Sequence, residues 1–263
     1  MHPFEGTGIG CLPGIRSLVQ FITGLLLPRD RIVDLHGHRV ELHPKDEGIT
    51  LPIVLTGNYE EAEAEFIRTS VQSGMVVADV GANVGIMSLV MARAVGEAGH
   101  VYAFEPDGEN LQLLERNIVH NGYSGRVDLI DRAVTEHSGS ATLFVSRDNK
   151  GEHTLIRGAA SPGTSTTVET VSMDDFFERT GVFPEFVKMD VQGAEVQVLR
   201  GMQRMLTRGF PKIILAEFWP KGLQDEADGA LDDILLGNGF QPRDITPMKC
   251  GFKNVAWTRT SSP

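Results

Sequence analysis

Cys11 and Cys250 are the only cysteines in a chain of 263 residues, and they lie far apart. Neither a disulfide scaffold nor a paired-cysteine metal site can be built from them, so a reducing compartment such as the cytoplasm is expected. Basic residues are also few: 24 Lys and Arg stand against 35 Asp and Glu, a formal net charge of −11. They are scattered, so no basic face forms and nucleic acid is a poor partner for this chain. Long hydrophobic runs are missing too. The most apolar stretch, residues 18–27, lies between Arg16 and Arg29 and carries Gln20, Thr23 and Gly24. It falls well short of the roughly 20 residues that span a bilayer. It reads as a helix packed on the main domain, suited also to a homodimer contact, and not as a transmembrane segment. The opening Met1-His2-Pro3-Phe4-Glu5 lacks the basic lead of a signal peptide.

What is present is the composition of an ordinary globular protein, 41% hydrophobic and 22% charged. Residues 1–60 read as an N-terminal extension. Two short alternating runs, 31–35 and 39–42, flank His36-Gly37-His38 as a hairpin would. Residues 61–263 read as one α/β domain. Helical spacing over 60–73 leads to a continuous apolar run at 75–80, as a buried parallel strand should look. A helix (86–95), a strand (100–104), a helix (109–121) and a strand (127–130) follow. Later come a strand at 186–191, a single helix at 194–206, a strand at 212–216, a helix at 231–236 and a closing strand at 254–257. Strand and helix alternating in this way predict a doubly wound, mostly parallel sheet. Residues 146–166, rich in Gly, Ser and Thr, read as a mobile loop near the ligand. Ser172-Met173-Asp174-Asp175 reads as a helix N-cap.

The most informative segment is Asp79-Val80-Gly81-Ala82-Asn83-Val84-Gly85, at a strand end opening a helix. Gly81 permits the tight turn, Gly85 lets helix and strand pack closely, and Asn83 tolerates a left-handed backbone where a third glycine often sits. A dinucleotide fingerprint would want glycine at 81, 83 and 86, and the last two are Asn and Ile. No Gly-Lys-Ser/Thr follows, so a P-loop is excluded as well. An adenosyl ligand without a pyrophosphate fits better. Asp79 would lie near its positively charged end, Glu105 could accept both ribose hydroxyls, and Asp131 could accept from the adenine amino group.

Three stretches, VVADVGANVGIMSL, YAFEPDGENLQLLERNIVHNG and FVKMDVQGAEVQVLRG, together with the Gly57-Asn58-Tyr59-Glu60 lead-in, resemble the FkbM-type S-adenosylmethionine-dependent methyltransferases over about residues 55–220. The usual acid of that family is replaced here by Gln192. The resemblance implies a seven-stranded class I, Rossmann-like sheet. It also implies S-adenosylmethionine as cofactor, S-adenosylhomocysteine as product, and methyl transfer to a hydroxyl of a small molecule such as a sugar, glycolipid or polyketide-like secondary metabolite. Glu60, Ala82, Pro106, Ala133 and Asp190 join Asp79, Gly81, Asn83, Gly85, Glu105 and Asp131 as the expected cofactor-binding set.

Transfer to an alcohol needs alignment and a base. Asp190, ending its strand, is the first candidate as base, substrate-orienting group or metal ligand. Lys188 alternates with it and points to the same face. His153 could reach the site from the loop as a substrate-side base, and Glu217, ending Leu215-Ala216-Glu217, could contact substrate, with Phe218 and Trp219 stacking on it or packing in the core. Glu195 is equally readable as a site acid or as a first-turn acid favouring its helix dipole. No metal site is assigned: His36, His38 and His43 lack a cysteine partner, and spacing does not show that the acids at 190, 195 and 217 converge, which leaves a divalent metal open. The alternative to an enzyme is a non-catalytic adenosyl-binding module that regulates or scaffolds a pathway.

Overall fold

Val76–Val80 (β3) alternates between the two faces of its sheet: Val77 packs into one apolar layer, Ala78 and Val80 into the other. A strand apolar on both sides belongs in the middle of a parallel sheet, and a computed structural model places it there. The structure describes residues 29, 31–44, 46, 48–146, 149–157, 163–218, 229–248 and 252–260. The 18–27 stretch, Cys11, Cys250 and Trp219 lie outside these residues. β3 pairs in parallel with His100–Phe104 (β4) on one side and Phe186–Met189 (β9) on the other. Val127–Ile130 (β5) extends the sheet beyond β4. Ile213–Phe218 (β10) extends it beyond β9 in parallel, followed by Lys253–Arg259 (β12) and Phe240–Asp244 (β11), both antiparallel to their neighbours. The seven-stranded order is β11-β12-β10-β9-β3-β4-β5.

The chain leaves β3 for β4 on one side and later returns to β9 on the other. The carboxyl ends of β3 and β9 therefore border a topological switch point, where doubly wound sheets bind ligands. Two buried layers cover the sheet. One holds Leu89, Met91 and Leu114 from the helices Ile86–Val95 (α3) and Gly108–His120 (α4), and the other holds Phe177, Leu199 and Trp257.

The hairpin is present as Ile32–Leu35 (β1) and His38–Glu41 (β2), and it turns through left-handed His36 and Gly37. It is pinned to the main sheet layer by Asn117. That residue's Oδ1 accepts from the Glu41 N–H at 2.6 Å, and its Nδ2 donates to the carbonyls of Glu41 (3.1 Å) and Val84 (2.8 Å). Two helices, Thr50–Thr56 (α1) and Glu61–Ser70 (α2), lead from the hairpin into β3.

Three expectations need correction. Residues 146–166 are not one loop, because Gly163–Val171 (β8) is a nine-residue strand paired with Gly139–Ser146 (β7) and Ala133–Val134 (β6) in a separate three-stranded sheet. Most of β8 is exposed on both faces, so no apolar alternation marks it. The helix expected over 194–206 is two, Glu195–Arg200 (α6) and Gln203–Thr207 (α7). At the break, the Gly201 backbone packs so closely on the Thr135 carbonyl that a Cβ would lie 2.3 Å from its oxygen. The Asp174 carboxylate, at the start of Met173–Thr180 (α5), then accepts from the N–H groups of Arg204 and Met205. Finally, the strand at 254–257 does not close the sheet; β11, which carries Pro242 and is mostly exposed, forms the edge. The Ser172 N-cap is as expected, its Oγ accepting from the Asp175 N–H at 3.1 Å.

Candidate active site

The turn after β3 is tied to the neighbouring strand end. The N–H groups of Gly81 and Ala82 both donate to the Phe104 carbonyl, at 3.1 and 2.9 Å. Gly81 has φ +80°, and a Cβ there would sit 2.0 Å from the Asp190 carbonyl oxygen, so only glycine lets the two strand ends approach. Asn83 takes the left-handed conformation expected of it, with φ +52°. Its N–H donates to Glu105 Oε2 at 2.8 Å, which joins the glycine turn to the acid at the end of β4.

Glu105 is buried, and its Oε1 accepts from the Asp107 N–H at 2.9 Å. Burial raises its pKa to about 7 against the help of these backbone donors. Pro106 is half-buried beside it, Ala82 and Gly85 are buried, Asp131 is exposed just past β5, and Ala133 is buried in β6.

A second group of acids surrounds Lys188 at the switch point. Asp79 is fully buried, with Oδ2 accepting from Ser88 Oγ at 2.6 Å and Oδ1 lying 3.8 Å from Lys188 Nζ. Asp190 Oδ2 lies 3.5 Å from the same Nζ, so Lys188 and Asp190 do share a face. Burial opposes the charge on Lys188, yet Asp190, Asp79 and Glu60 outweigh it and push its pKa upward. Burial holds Asp79, Glu60 and Glu63 above the usual carboxylate range. Glu60 caps α2 from a left-handed backbone, and Asn254 Nδ2 donates to Glu63 Oε1.

Gln192 draws the two strand-end acids together. Its Nε2 donates to Asp190 Oδ1 at 2.7 Å and to Glu217 Oε2 at 3.4 Å. Its carbonyl accepts from Thr154 Oγ1 at 2.8 Å. Asp190 and Glu217 therefore converge, but Glu195 does not join them. Its Oε1 accepts from the N–H groups of Val191 and Gly193, closing the turn between β9 and α6, and burial raises its pKa to about 7.

His153, the candidate substrate-side base, is buried with one ring nitrogen engaged. Its Nδ1 accepts from the Ser146 N–H at 3.2 Å, which leaves the proton of the neutral ring on Nε2, a donor. Burial also lowers its pKa. The ring sits 3.9 Å from Asp107 Oδ2, on the Glu105 side of the site. The three N-terminal histidines separate as well. His36 bonds to the Tyr59 carbonyl, His38 to the Tyr123 hydroxyl, and His43 lies near Glu109. Among the described residues no group of three His, Cys, Asp or Glu side chains is arranged to hold a metal, and no helix is long and apolar enough to cross a membrane.

Several site residues carried no signal in the sequence. The Lys150 carbonyl accepts from both Asn83 Nδ2 (2.9 Å) and Asn110 Nδ2 (3.3 Å), and the Lys150 N–H donates to Asp46 Oδ1 at 3.2 Å. A strap over the glycine turn is thus fastened to the N-terminal segment. Asp46 is buried, and its pKa rises to about 6 for that reason. Glu63 could have been suspected from its place in the first turn after Glu60, but that position reads equally as a dipole acid.

The family model for the FkbM methyltransferase domain matches residues 79–242, well over half the chain. Among curated proteins, methyltransferase sdnD of Sordaria araneosa is 24% identical over 190 residues, which cover 61% of this chain and 73% of that protein. Hexuronic acid methyltransferase AglP of Haloferax volcanii is 30% identical over 133 residues, 50% of this chain and 51% of that protein. Among solved structures, one described as an rRNA methylase from Clostridium thermocellum superposes with a TM-score of 0.50 at 14% identity, covering 77% of this chain and 96% of that one. At that identity the likeness is one of fold, and it is the class I methyltransferase fold. The chain belongs to the FkbM methyltransferase family, whose methyl donor is S-adenosylmethionine.

Proposed function

We propose that this chain moves the methyl group of S-adenosylmethionine to a hydroxyl of a small molecule, with Asp190 taking the hydroxyl proton. One observation carries the reading. Asp190 lies at the switch point with both carboxylate oxygens held, one by Gln192 and one facing Lys188, and its side chain is 27% exposed while Asp79, Glu63 and Glu217 are buried. That exposure supports a role for Asp190 in meeting a substrate. The name of AglP, a hexuronic acid methyltransferase, supports a sugar-like acceptor.

The site fits the donor chemically. Buried acids held above their usual pKa surround a single lysine, and a cationic ligand would restore their charge. Glu105, at the next strand end, retains carboxylate lone pairs beyond the two backbone bonds for ribose hydroxyls. When bound, the cofactor supplies an electrophilic methyl carbon on a good leaving group. Asp190 then accepts the proton as the acceptor oxygen forms its new bond, Lys188 holds that carboxylate in place from 3.5 Å, and Glu217 bounds the acceptor side through Gln192. Residues 1–60 are proposed as a cap on the 61–263 domain, since their described part supplies Asp46 and Glu60.

The test is a panel of neutral sugars, uronic acids, glycosides and polyketide alcohols with radiolabelled S-adenosylmethionine. Asp190→Asn should lower the transfer rate by about 10²–10⁴-fold, far more than it weakens S-adenosylhomocysteine binding. An undiminished rate would remove Asp190 as base. Cofactor binding with no acceptor methylated would favour the non-catalytic module.

A further inference from the structure

Gln192 has a left-handed backbone, with φ +53°, and Gly193 follows it at φ +98°. A left-handed residue other than glycine is strained and persists only where its surroundings hold it. The turn after β9 is held from three directions. The Asp190 N–H donates to the Val80 carbonyl at 3.0 Å, which ties the turn to β3. From within, Glu195 Oε1 accepts from the N–H groups of Val191 at 3.0 Å and Gly193 at 3.3 Å. The Gln192 carbonyl, between those two N–H groups in sequence, accepts from the Thr154 hydroxyl at 2.8 Å.

Thr154 comes from outside the central sheet. Its backbone bridges to Phe144 of β7 in both directions, the Phe144 N–H donating to the Thr154 carbonyl at 2.9 Å and the Thr154 N–H to the Phe144 carbonyl at 3.2 Å. β7 belongs to the separate three-stranded sheet. Thr154 is buried, and its hydroxyl is committed as both acceptor and donor. Oγ1 accepts from the Ile156 N–H at 3.0 Å, and its single proton goes to the Gln192 carbonyl. A valine here would keep the shape but leave that carbonyl and that N–H without this partner. The bond thus joins the small sheet to the residue whose amide reaches Asp190 Oδ1 and Glu217 Oε2.

We propose that Thr154 is a positioning residue for methyl transfer: by holding the Gln192 carbonyl, it fixes the turn that sets the Gln192 amide against Asp190. This rests on the reading that Asp190 takes the acceptor proton. A base works only within hydrogen-bond reach of the proton it removes, and a misplacement of about 1 Å can cost about 100-fold. Thr154 acts through Gln192 and not on the substrate itself. Its effect falls on the step that uses Asp190 more than on cofactor binding, because the glycine turn is fastened separately, by the Phe104 carbonyl at the end of β4.

Thr154→Val and its conservative counterpart Thr154→Ser test the assignment in the full chain, with a sugar or alcohol that the unmodified chain methylates. Thr154→Val should lower kcat by about tenfold while S-adenosylhomocysteine affinity stays within about twofold, and Thr154→Ser should recover most of the rate. In a Gln192→Ala background Thr154→Val should bring no further loss of kcat, since the amide it positions is gone. Hydrogen exchange read by mass spectrometry should show residues 190–195 opening about tenfold faster in Thr154→Val, with β3 unchanged. An unchanged kcat, equal losses in kcat and cofactor affinity, an additive loss with Gln192→Ala, or unchanged exchange at 190–195 would each overturn the positioning role and leave Asp190 as base. Full activity in Asp190→Asn, or no acceptor methylated by the unmodified chain, would overturn the underlying reading and the inference with it.

Discussion

Gln192 Nε2 donates to Asp190 Oδ1 at 2.7 Å, and this neutral amide stands between two carboxylates, those of Asp190 and Glu217. Gln192→Glu would turn a donor into a third negative charge there. With a working acceptor, the variant should lose about tenfold or more in kcat/KM at neutral pH. The gap should narrow as the pH is lowered, because a protonated Glu can donate again. A constant gap across pH would mean that the amide matters for packing alone.

Burial holds protons on Asp46, Glu105 and Glu195, with pKa values of about 6, 7 and 7 against 3.8 and 4.5 when exposed. The folded chain binds protons that the unfolded chain has released, so their contribution is complete below the exposed values and is lost as pH rises through about 6–7. The ligand-free protein should melt at a higher temperature near about pH 5.5 than near about pH 8.5. Because a cationic ligand favours the ionised carboxylates, cofactor binding should release protons in that window and tighten as pH rises, which titration in buffers of differing ionisation heat would read. Proton uptake on binding would contradict it.

Lys188 compensates Asp79, which has no exposure to solvent, and partly Asp190. Lys188→Met should destabilise the fold by about 3–5 kcal/mol in urea denaturation, as expected when one member of a buried charge group is removed. Adding Asp79→Asn should recover part of the loss, since the uncompensated charge is then gone. A double variant no more stable than the single one would show that the methylene stem, not the charge, matters.

The fold was legible where burial imposes a pattern. β3 and β9 are apolar on both faces, and the glycine turn with Glu105 and Asp190 falls at strand ends that such runs locate. β8 was not legible, because Thr164 to Thr167 are exposed and only their pairing with β7 makes them a strand. The break between α6 and α7 depends on Asp174 and Thr135, which no local spacing announces. The same holds at the site. Lys188 and Asp190 are two residues apart and share a face, whereas Asp46, Asn110 and Lys150 meet only through tertiary contacts. The hydrogen bond from the Ser146 N–H to His153 Nδ1 is likewise invisible to local spacing.

Gly57 and Gly81 both have left-handed backbones, with φ +69° and +80°. A Cβ at Gly57 meets nothing within 4 Å, while one at Gly81 meets the Asp190 carbonyl. Gly57→Ala should cost about 1 kcal/mol, the conformational penalty alone, and Gly81→Ala about 2 kcal/mol or more beyond it. Equal costs in denaturant melts would show that the β3 and β9 strand ends are not in the close contact described.

The most direct measurement is calorimetric titration of the full chain and of Glu105→Ala with S-adenosylhomocysteine. Binding in about the micromolar range to the unmodified chain, weakened by about 100-fold or more in the variant, is the result that a Glu105-centred adenosyl site requires. Equal affinity in both proteins would contradict it and move the cofactor away from the glycine turn.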